Sequence, residues 1–247
     1  MTPMARKLSF AGGLTVTDVG ALDSLVQNRR SIGARDDIVR DGERPCAVRL
    51  VLEGFACRYK MMPNGERAIL AYLIPGDFCD LHITVLGQMD HAIGAITDCQ
   101  IADLCSDQIQ HLIQTKHRLA KALWWSTLVD EAILRTWLAN VAHRHSGRRL
   151  AHLICELRLR LELVGLADKH QVRLPLTQEE LGDALGISNV HISRMFQKFR
   201  EQNLVLTKNR SLVFPDLARL EEFAEFNADY LHIRSNDTQP ESLSRAC

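Results

Sequence analysis

No Cys-x-x-Cys pair occurs in this chain, and its cysteines (Cys46, Cys57, Cys79, Cys99, Cys105, Cys155 and Cys247) are odd in number and widely scattered. Neither a zinc ribbon nor a disulfide framework is suggested, so reduced thiols are expected. No stretch reaches the roughly 18 uninterrupted apolar residues that a membrane span needs. Met1 to Phe10 carry Arg6 and Lys7 but no apolar run of signal-peptide length. A cytoplasmic protein with no membrane partner is the expectation. Net charge is lacking too, because 30 basic residues cancel 30 acidic ones. What is present is 46% hydrophobic content over 247 residues, which excludes wholesale disorder and suits two modest domains better than one.

The missing net charge hides an uneven distribution. From Ser188 to Phe214 five basic residues (Arg194, Lys198, Arg200, Lys208, Arg210) face one acid, Glu201, whereas Pro215 to Cys247 holds seven acids and three arginines. A basic patch of that size is a candidate phosphate-facing surface, masked in the total by an acidic C-terminal segment.

Between Ile32 and Leu104 short β-rich runs alternate with glycine turns. Gly42, Gly54, Gly65 and Gly76 are 12, 11 and 11 residues apart, a rhythm of short strands and tight turns. Val48 to Leu52 and Ala68 to Leu73 suit a barrel or sandwich, and Asn64-Gly65 signals a hairpin because both residues tolerate positive φ. Glycine and proline then vanish from Gln108 to Ser146. Over that stretch Leu119, Leu123, Ser126, Asp130, Ile133 and Trp137 recur at spacings of 4, 3, 4, 3 and 4, and Leu134, Leu138 and Val141 widen the stripe. A helix of about thirty residues with that period reads as a dimerisation helix, the alternative being a helix packed on its own barrel.

A second helix is expected from Arg148 to Val164, ended by Gly165, with Arg149, Arg158 and Arg160 off its apolar face. Thr177-Gln178-Glu179-Glu180 is a capping-box sequence, and Ser188 caps the helix after it. Leu176 to Arg194 therefore reads as a helix-turn-helix with Gly186 in the turn and Leu181, Leu185, Ile187, Ile192 and Phe196 as its small core. Asn189, Val190, His191, Ser193, Arg194 and Lys198 are placed on the outer face of the second helix. Leu204 to Leu206 and Leu212 to Phe214 form a basic-tipped hairpin, a wing that presents Lys208 and Arg210.

These blocks, in this order, resemble the cAMP receptor protein and FNR family of bacterial transcriptional regulators. The resemblance runs from about Asp36 to Phe214 and rests on Asp41-Gly42-Glu43, Glu53-Gly54, Pro75-Gly76-Asp77-Phe78, the long helix, and the Thr177 to Arg194 block. It implies an α+β fold: a cyclic-nucleotide-binding-like β-barrel of jelly-roll type over 1–115, a dimerisation helix over 116–146, and a winged helix-turn-helix over 147–214. An acidic C-terminal helix and disordered tail follow over 215–247. It also implies a homodimer on double-stranded DNA with a palindromic operator, RNA polymerase as a partner, and no enzymatic activity. Arg194 takes the place of the arginine that bonds a guanine, which a planar guanidinium matches at O6 and N7. Thr177 and Gln178 take the phosphate-contacting helix start. Val190 stands where many members carry a glutamate, so the usual cytosine contact is lost and a thymine methyl is the candidate contact instead.

The sensor departs further. Where the family cradles a cyclic nucleotide with a glutamate and an Arg-Ser pair, counting from Gly76 and Cys99 gives Leu81 and Met89-Asp90. A carboxylate without a cation repels a cyclic phosphate, so cAMP is not expected. No cysteine precedes Cys46, against the N-terminal cysteines of an iron-sulfur member. The candidate sensor pocket is Cys79, Asp80, Leu81 and His82 with Met89, Asp90 and His91. No cofactor is expected there, the minor alternatives being haem or a metal through Cys79 and His82, or thiol redox sensing at Cys79. The competing functions are a cupin-like metalloenzyme, which lacks a His-x-His pair here, and a signalling module that does not touch DNA.

Overall fold

The computed structural model of the chain describes residues 1–208 and 211–233. Two helices, α1 (Pro3–Ser9) and α2 (Val16–Leu25), open the chain. Each starts at a threonine whose hydroxyl accepts from a backbone N–H of the first turn, Thr2 from Ala5 and Thr15 from Asp18. Seven strands follow: β1 (Asn28–Ile32), β2 (Asp37–Val39), β3 (Ala47–Glu53), β4 (Ala56–Met61), β5 (Arg67–Leu73), β6 (Ala92–Ala95) and β7 (Cys99–Cys105). The short helix α3 (Ile83–Leu86) interrupts them before β6.

Pairing is antiparallel throughout and divides these strands into two sheets, β1-β7-β3 and β2-β6-β4-β5. The expected barrel is thus a two-sheet jelly roll. Leu50, Val51, Ile93, Ile101 and Phe78 fill its interior, and Met4, Leu8 and Leu22 of the opening helices extend that core. The β4–β5 connection departs from a two-residue hairpin. Gly65 N–H bonds Met62 C=O at 2.9 Å, and only Gly65 has positive φ. Pro63 and Asn64 are thus the central pair, and the proline's φ near −65° favours this Met62–Gly65 turn over one centred on Asn64-Gly65.

Helix α4 (Ser106–Thr115) leads into the 27-residue α5 (His117–His143). The periodic residues Leu119, Leu123, Ser126, Ile133 and Trp137 are buried against the chain's own body. The stripe read as a dimer seam is therefore the inner face. Its polar member Asp130 is an ion-pair partner, 3.1 Å from Arg58 of β4 and 3.8 Å from Lys7 of α1. One position further round the helix, about 100° away, Trp124, Leu134 and Leu138 face outward, 73%, 52% and 70% exposed.

Helix α6 (Ser146–Leu163) opens the C-terminal half. Arg158 and Arg160 are buried, not solvated, because each has carboxylate partners: Glu162 and Glu221 for Arg158, and Asp77 and Glu156 for Arg160. Asp77, fully enclosed, is held below the usual carboxylate range by Lys7 and Arg160 against the cost of burial. This cluster joins α1, the turn after β5 and α6.

The remaining elements are β8 (Gln171–Val172), α7 (Gln178–Leu185), α8 (Asn189–Glu201), β9 (Leu206–Lys208), β10 (Ser211–Val213) and α9 (Leu217–Ala224), with a 3-10 turn at Ala228–Leu231. β8-β10-β9 form a small antiparallel sheet. The second core is continuous from Tyr72 and Ile74 of the sensor, through Leu150, Leu157 and Leu161 of α6, to Leu181, Phe199 and Leu220. Helix α9 packs on α6, Phe223 meets Phe199 edge-on with centroids 5.8 Å apart, and Glu225 pairs with Arg144 and Arg148. The packed body thus continues beyond Phe214, past the expected end of the winged domain. The expected tail over 234–247 lies outside the described residues. Among the described residues no helix is long and apolar enough to cross a membrane.

Candidate nucleic-acid interface and sensor cleft

Helix α7 begins on a complete capping box: Thr177 Oγ1 accepts from Glu180 N–H at 3.1 Å, and the Glu180 carboxylate accepts from Thr177 N–H at 2.7 Å. Such a box stabilises a helix start by about 1 kcal/mol. Gly186 ends α7 in the left-handed region at φ 64°. Gly182 lets the turn after α7 fold back closely onto the helix, since a Cβ there would stand 2.5 Å from Ile187 C=O. Ser188 then caps α8, its hydroxyl accepting from His191 N–H.

Ile192, Met195 and Phe199 anchor α8 inward. The opposite face carries Asn189, Val190, His191, Ser193, Arg194 and Lys198, all exposed. Among the described residues Arg194 and Lys198 form no ion pair. A helix anchored by three buried side chains and faced with free cations and small polar groups is the arrangement that enters a major groove. One residue departs from the expected outward set. His191 Nε2 is 2.8 Å from Ser146 Oγ at the start of α6, so its ring is engaged within the protein. Lys208 is exposed at the end of β9, whereas Arg210 lies outside the described residues. Thr177 and Gln178 are exposed at the start of α7.

Sequence reasoning missed how closely this unit sits on the sensor. Arg67 of β5 lies 3.0 Å from Asp183 of α7, and the Tyr72 hydroxyl donates to Glu180 C=O at 2.9 Å. The tip of the β4–β5 connection, Met62 to Glu66, and the start of α8 at Asn189 line one cleft. Nothing in the local sequence pairs residues more than a hundred positions apart.

The sensor-pocket candidates separate into two sets. Cys79, Asp80 and Met89 are core residues, and Leu81 packs against that core. Asp80 accepts from Arg49 N–H at 2.6 Å and from its guanidinium at 3.0 Å, and burial lifts its pKa to about 6 against the Arg49 charge. Burial also pushes the Cys79 thiol well up, with Asp80 adding to it, which makes Cys79 a poor thiolate. His82, Asp90 and His91 do converge, each offering a ligand atom within 4.8 Å of the others. Burial lowers the pKa of both histidines, so the neutral imidazole is favoured.

None of the described cysteines joins His82, Asp90 and His91 as a candidate ligand. Four are buried (Cys57, Cys79, Cys99, Cys155), while Cys46 and Cys105 are exposed.

A jelly-roll sensor coupled by a long helix to a winged helix-turn-helix defines a class: DNA-binding transcription regulators that carry a cyclic-nucleotide-binding type of domain. Residues 29–116 match the family described as cyclic nucleotide-binding domain, and residues 148–223 match the Crp-like helix-turn-helix domain. The nitrogen fixation regulation protein FixK of Bradyrhizobium diazoefficiens is 27% identical over 176 residues, 70% of this chain and 72% of that protein. The transcriptional activatory protein AadR of Rhodopseudomonas palustris is 24% identical over 229 residues, 90% of this chain and 89% of that protein. The solved structure of FixK2 from Bradyrhizobium japonicum shares the fold, with a TM-score of 0.72 at 23% identity over 81% of this chain and 98% of that one. The chain belongs to the Crp/Fnr family and is a DNA-binding transcriptional regulator, not an enzyme.

Proposed function

We propose that the protein works in the cytoplasm as a symmetric dimer on an operator with two half-sites, recruits or blocks RNA polymerase there, and responds to a signal other than cAMP. The observation that carries this reading is the outward face of α8, where Arg194 and Lys198 stand exposed on a helix fixed from behind by Ile192, Met195 and Phe199. In this reading Arg194 reads a base edge, with Asn189, Val190 and Ser193 beside it. Thr177, Gln178, Ser188, Lys198, Lys208 and Arg210 hold the phosphates on either side.

A twofold operator calls for a twofold protein. Support for the dimer comes from α5, whose outer face exposes Trp124, Leu128, Leu134, Leu138 and Val141. Apolar residues at helical spacing on a solvent-facing helix are suited to a second copy of the same helix.

Against cAMP stand Leu81 and Met89, both apolar, and the exposed carboxylate of Asp90. Genome-wide recovery of bound DNA from cells is the central test, with a shared two-half-site sequence in the recovered fragments as the expected result. Recovery of DNA with no common sequence would sink the reading. Calorimetry with cAMP completes it, and no heat of binding at micromolar concentrations is expected.

A further inference from the structure

His82 stands at the start of α3 and His91 at the entrance to β6, and the chain between them brings their rings to a centroid separation of 5.5 Å. The Nε2 atoms of both are buried and have no hydrogen-bond partner. An unsatisfied buried polar atom destabilises the fold, so two on neighbouring rings require an explanation. Asp90 supplies part of it. Its Oδ1 lies 2.6 Å from His91 Nδ1 and accepts the ring proton there, which leaves His91 Nε2 as a bare lone pair. A carboxylate holding one imidazole nitrogen so that the other faces an empty coordination position is how proteins orient histidine for a metal.

We propose that His82, His91 and Asp90 form a binding site for a first-row divalent transition metal in the sensor domain. Two imidazole nitrogens select Zn²⁺, Co²⁺, Ni²⁺ or Fe²⁺ over Ca²⁺ and Mg²⁺, which take oxygen ligands. The two unpartnered Nε2 atoms are the nitrogen ligands, and Asp90 orients the His91 ring from its Nδ1 side. Two protein ligands leave coordination positions open to water or a small signal molecule. The positive charge nearest the site, Arg58, is already committed to Asp130 and to the carbonyls of Phe78 and Cys79. That same Arg58 ties the wall of the site to α5. The inference deepens the sensor reading and rests on it only for what the metal signals, because metal binding itself is measured without DNA.

The test uses the full chain freed of metal with a chelator and then titrated with Co²⁺ alone, followed by visible absorption, with Zn²⁺ as competitor. One Co²⁺ per chain is expected, without thiolate charge-transfer bands, since no cysteine belongs to the group. His82→Gln and His91→Gln should each weaken binding by roughly 100-fold, Asp90→Asn by about 10- to 100-fold, and His111→Gln on the exposed face of α4 should change nothing. Modification of histidines by diethylpyrocarbonate in the unaltered protein, mapped by mass spectrometry, guards against variants that misfold: Zn²⁺ should protect His82 and His91. Metal binding that survives both histidine substitutions, or protection that falls on other histidines, overturns the site. Operator binding by the metal-free protein tests the regulator reading separately.

Discussion

The Arg67 guanidinium on β5 lies 3.0 Å from the Asp183 carboxylate on α7, a pair that joins the sensor to the helix-turn-helix of the same chain. Beside it the Tyr72 hydroxyl donates to Glu180 C=O, and Tyr72 itself is fully buried. The DNA-binding unit is thus docked on its own sensor sheet. Strand β5 contacts directly the helix that precedes α8.

Loosening that dock should be cheap for the fold and visible in binding. Arg67 and Asp183 are 32% and 23% exposed, so the pair contributes under about 1 kcal/mol to stability. Arg67→Ala should leave the melting temperature nearly unchanged and raise operator affinity in the absence of signal by up to about fivefold, the factor that 1 kcal/mol represents. Fluorescence anisotropy on an operator duplex is the measurement. A weaker complex at unchanged stability would place the contact in the DNA-bound form instead.

The two faces of α5 make opposite predictions for substitution. Leu138→Glu changes a side chain that is 70% exposed in the single chain, so it should leave each chain folded yet abolish the dimer and, with it, tight operator binding. Ile133→Ala removes a buried side chain from the shared core and should cost about 2–5 kcal/mol of stability while leaving the outer face intact. Light scattering and thermal melting on the two variants separate the roles. A Leu138→Glu protein that stays dimeric would move the interface elsewhere.

Local signals were legible in the sequence wherever the physics is local. The capping box at Thr177 and Glu180, the cap at Ser188 and the turn at Gly186 involve residues within a few positions, and the structure has them all. The rhythm of the glycines likewise marked a strand-rich sensor. Periodicity alone could not say which side of α5 faced the body, because an apolar stripe packs equally well on its own domain or on a second copy. Ser126 and Asp130 were the clue, since Asp130 meets Arg58 and Lys7, residues far away in the chain. The buried arginines of α6 were hidden for the same reason: Arg160 is enclosed because Asp77, 83 residues away, meets it. In the sensor pocket, adjacency in sequence grouped Cys79 with His82, whereas the turn between the Phe78 bridge and α3 leaves Cys79 in the core and brings His82 to His91.

Acid should weaken the hinge between α5 and α6 through His152. Its ring stacks on Tyr230, its Nδ1 is 3.1 Å from Asn140 Nδ2, and burial, aided by the Arg144 charge, lowers its pKa from 6.5 to about 4. A base depressed in the folded state binds fewer protons than in the unfolded chain. The stability it contributes is therefore complete above pH 6.5 and is lost as pH falls toward 4, by about 3 kcal/mol over the window. Denaturant midpoints across that range should fall accordingly. His152→Gln should start lower at pH 7 but show a flatter profile between pH 6.5 and 4, and an unchanged slope would assign the acid lability to other groups.

Base reading and phosphate holding leave different signatures, and α8 with the wing allows both to be measured. Arg194 projects from the exposed face of a helix whose other side is locked by Ile192, Met195 and Phe199, which leaves its guanidinium free to reach a groove floor. Lys208 sits at the end of β9, where a hairpin rides along the backbone. Arg194→Ala should cost about 1–3 kcal/mol on the cognate duplex and flatten the preference at one base pair in each half-site, with much less effect on scrambled DNA. Lys208→Ala should weaken cognate and scrambled duplexes alike and make the salt dependence shallower by about one unit for every phosphate that a subunit no longer neutralises. Binding of both variants to both duplexes across a salt series decides between the roles. Should Arg194→Ala weaken the two duplexes equally and keep the base preference, Arg194 would be a phosphate clamp. The base-reading residues would then have to be sought at Asn189, Val190 and Ser193, nearer the start of the same helix.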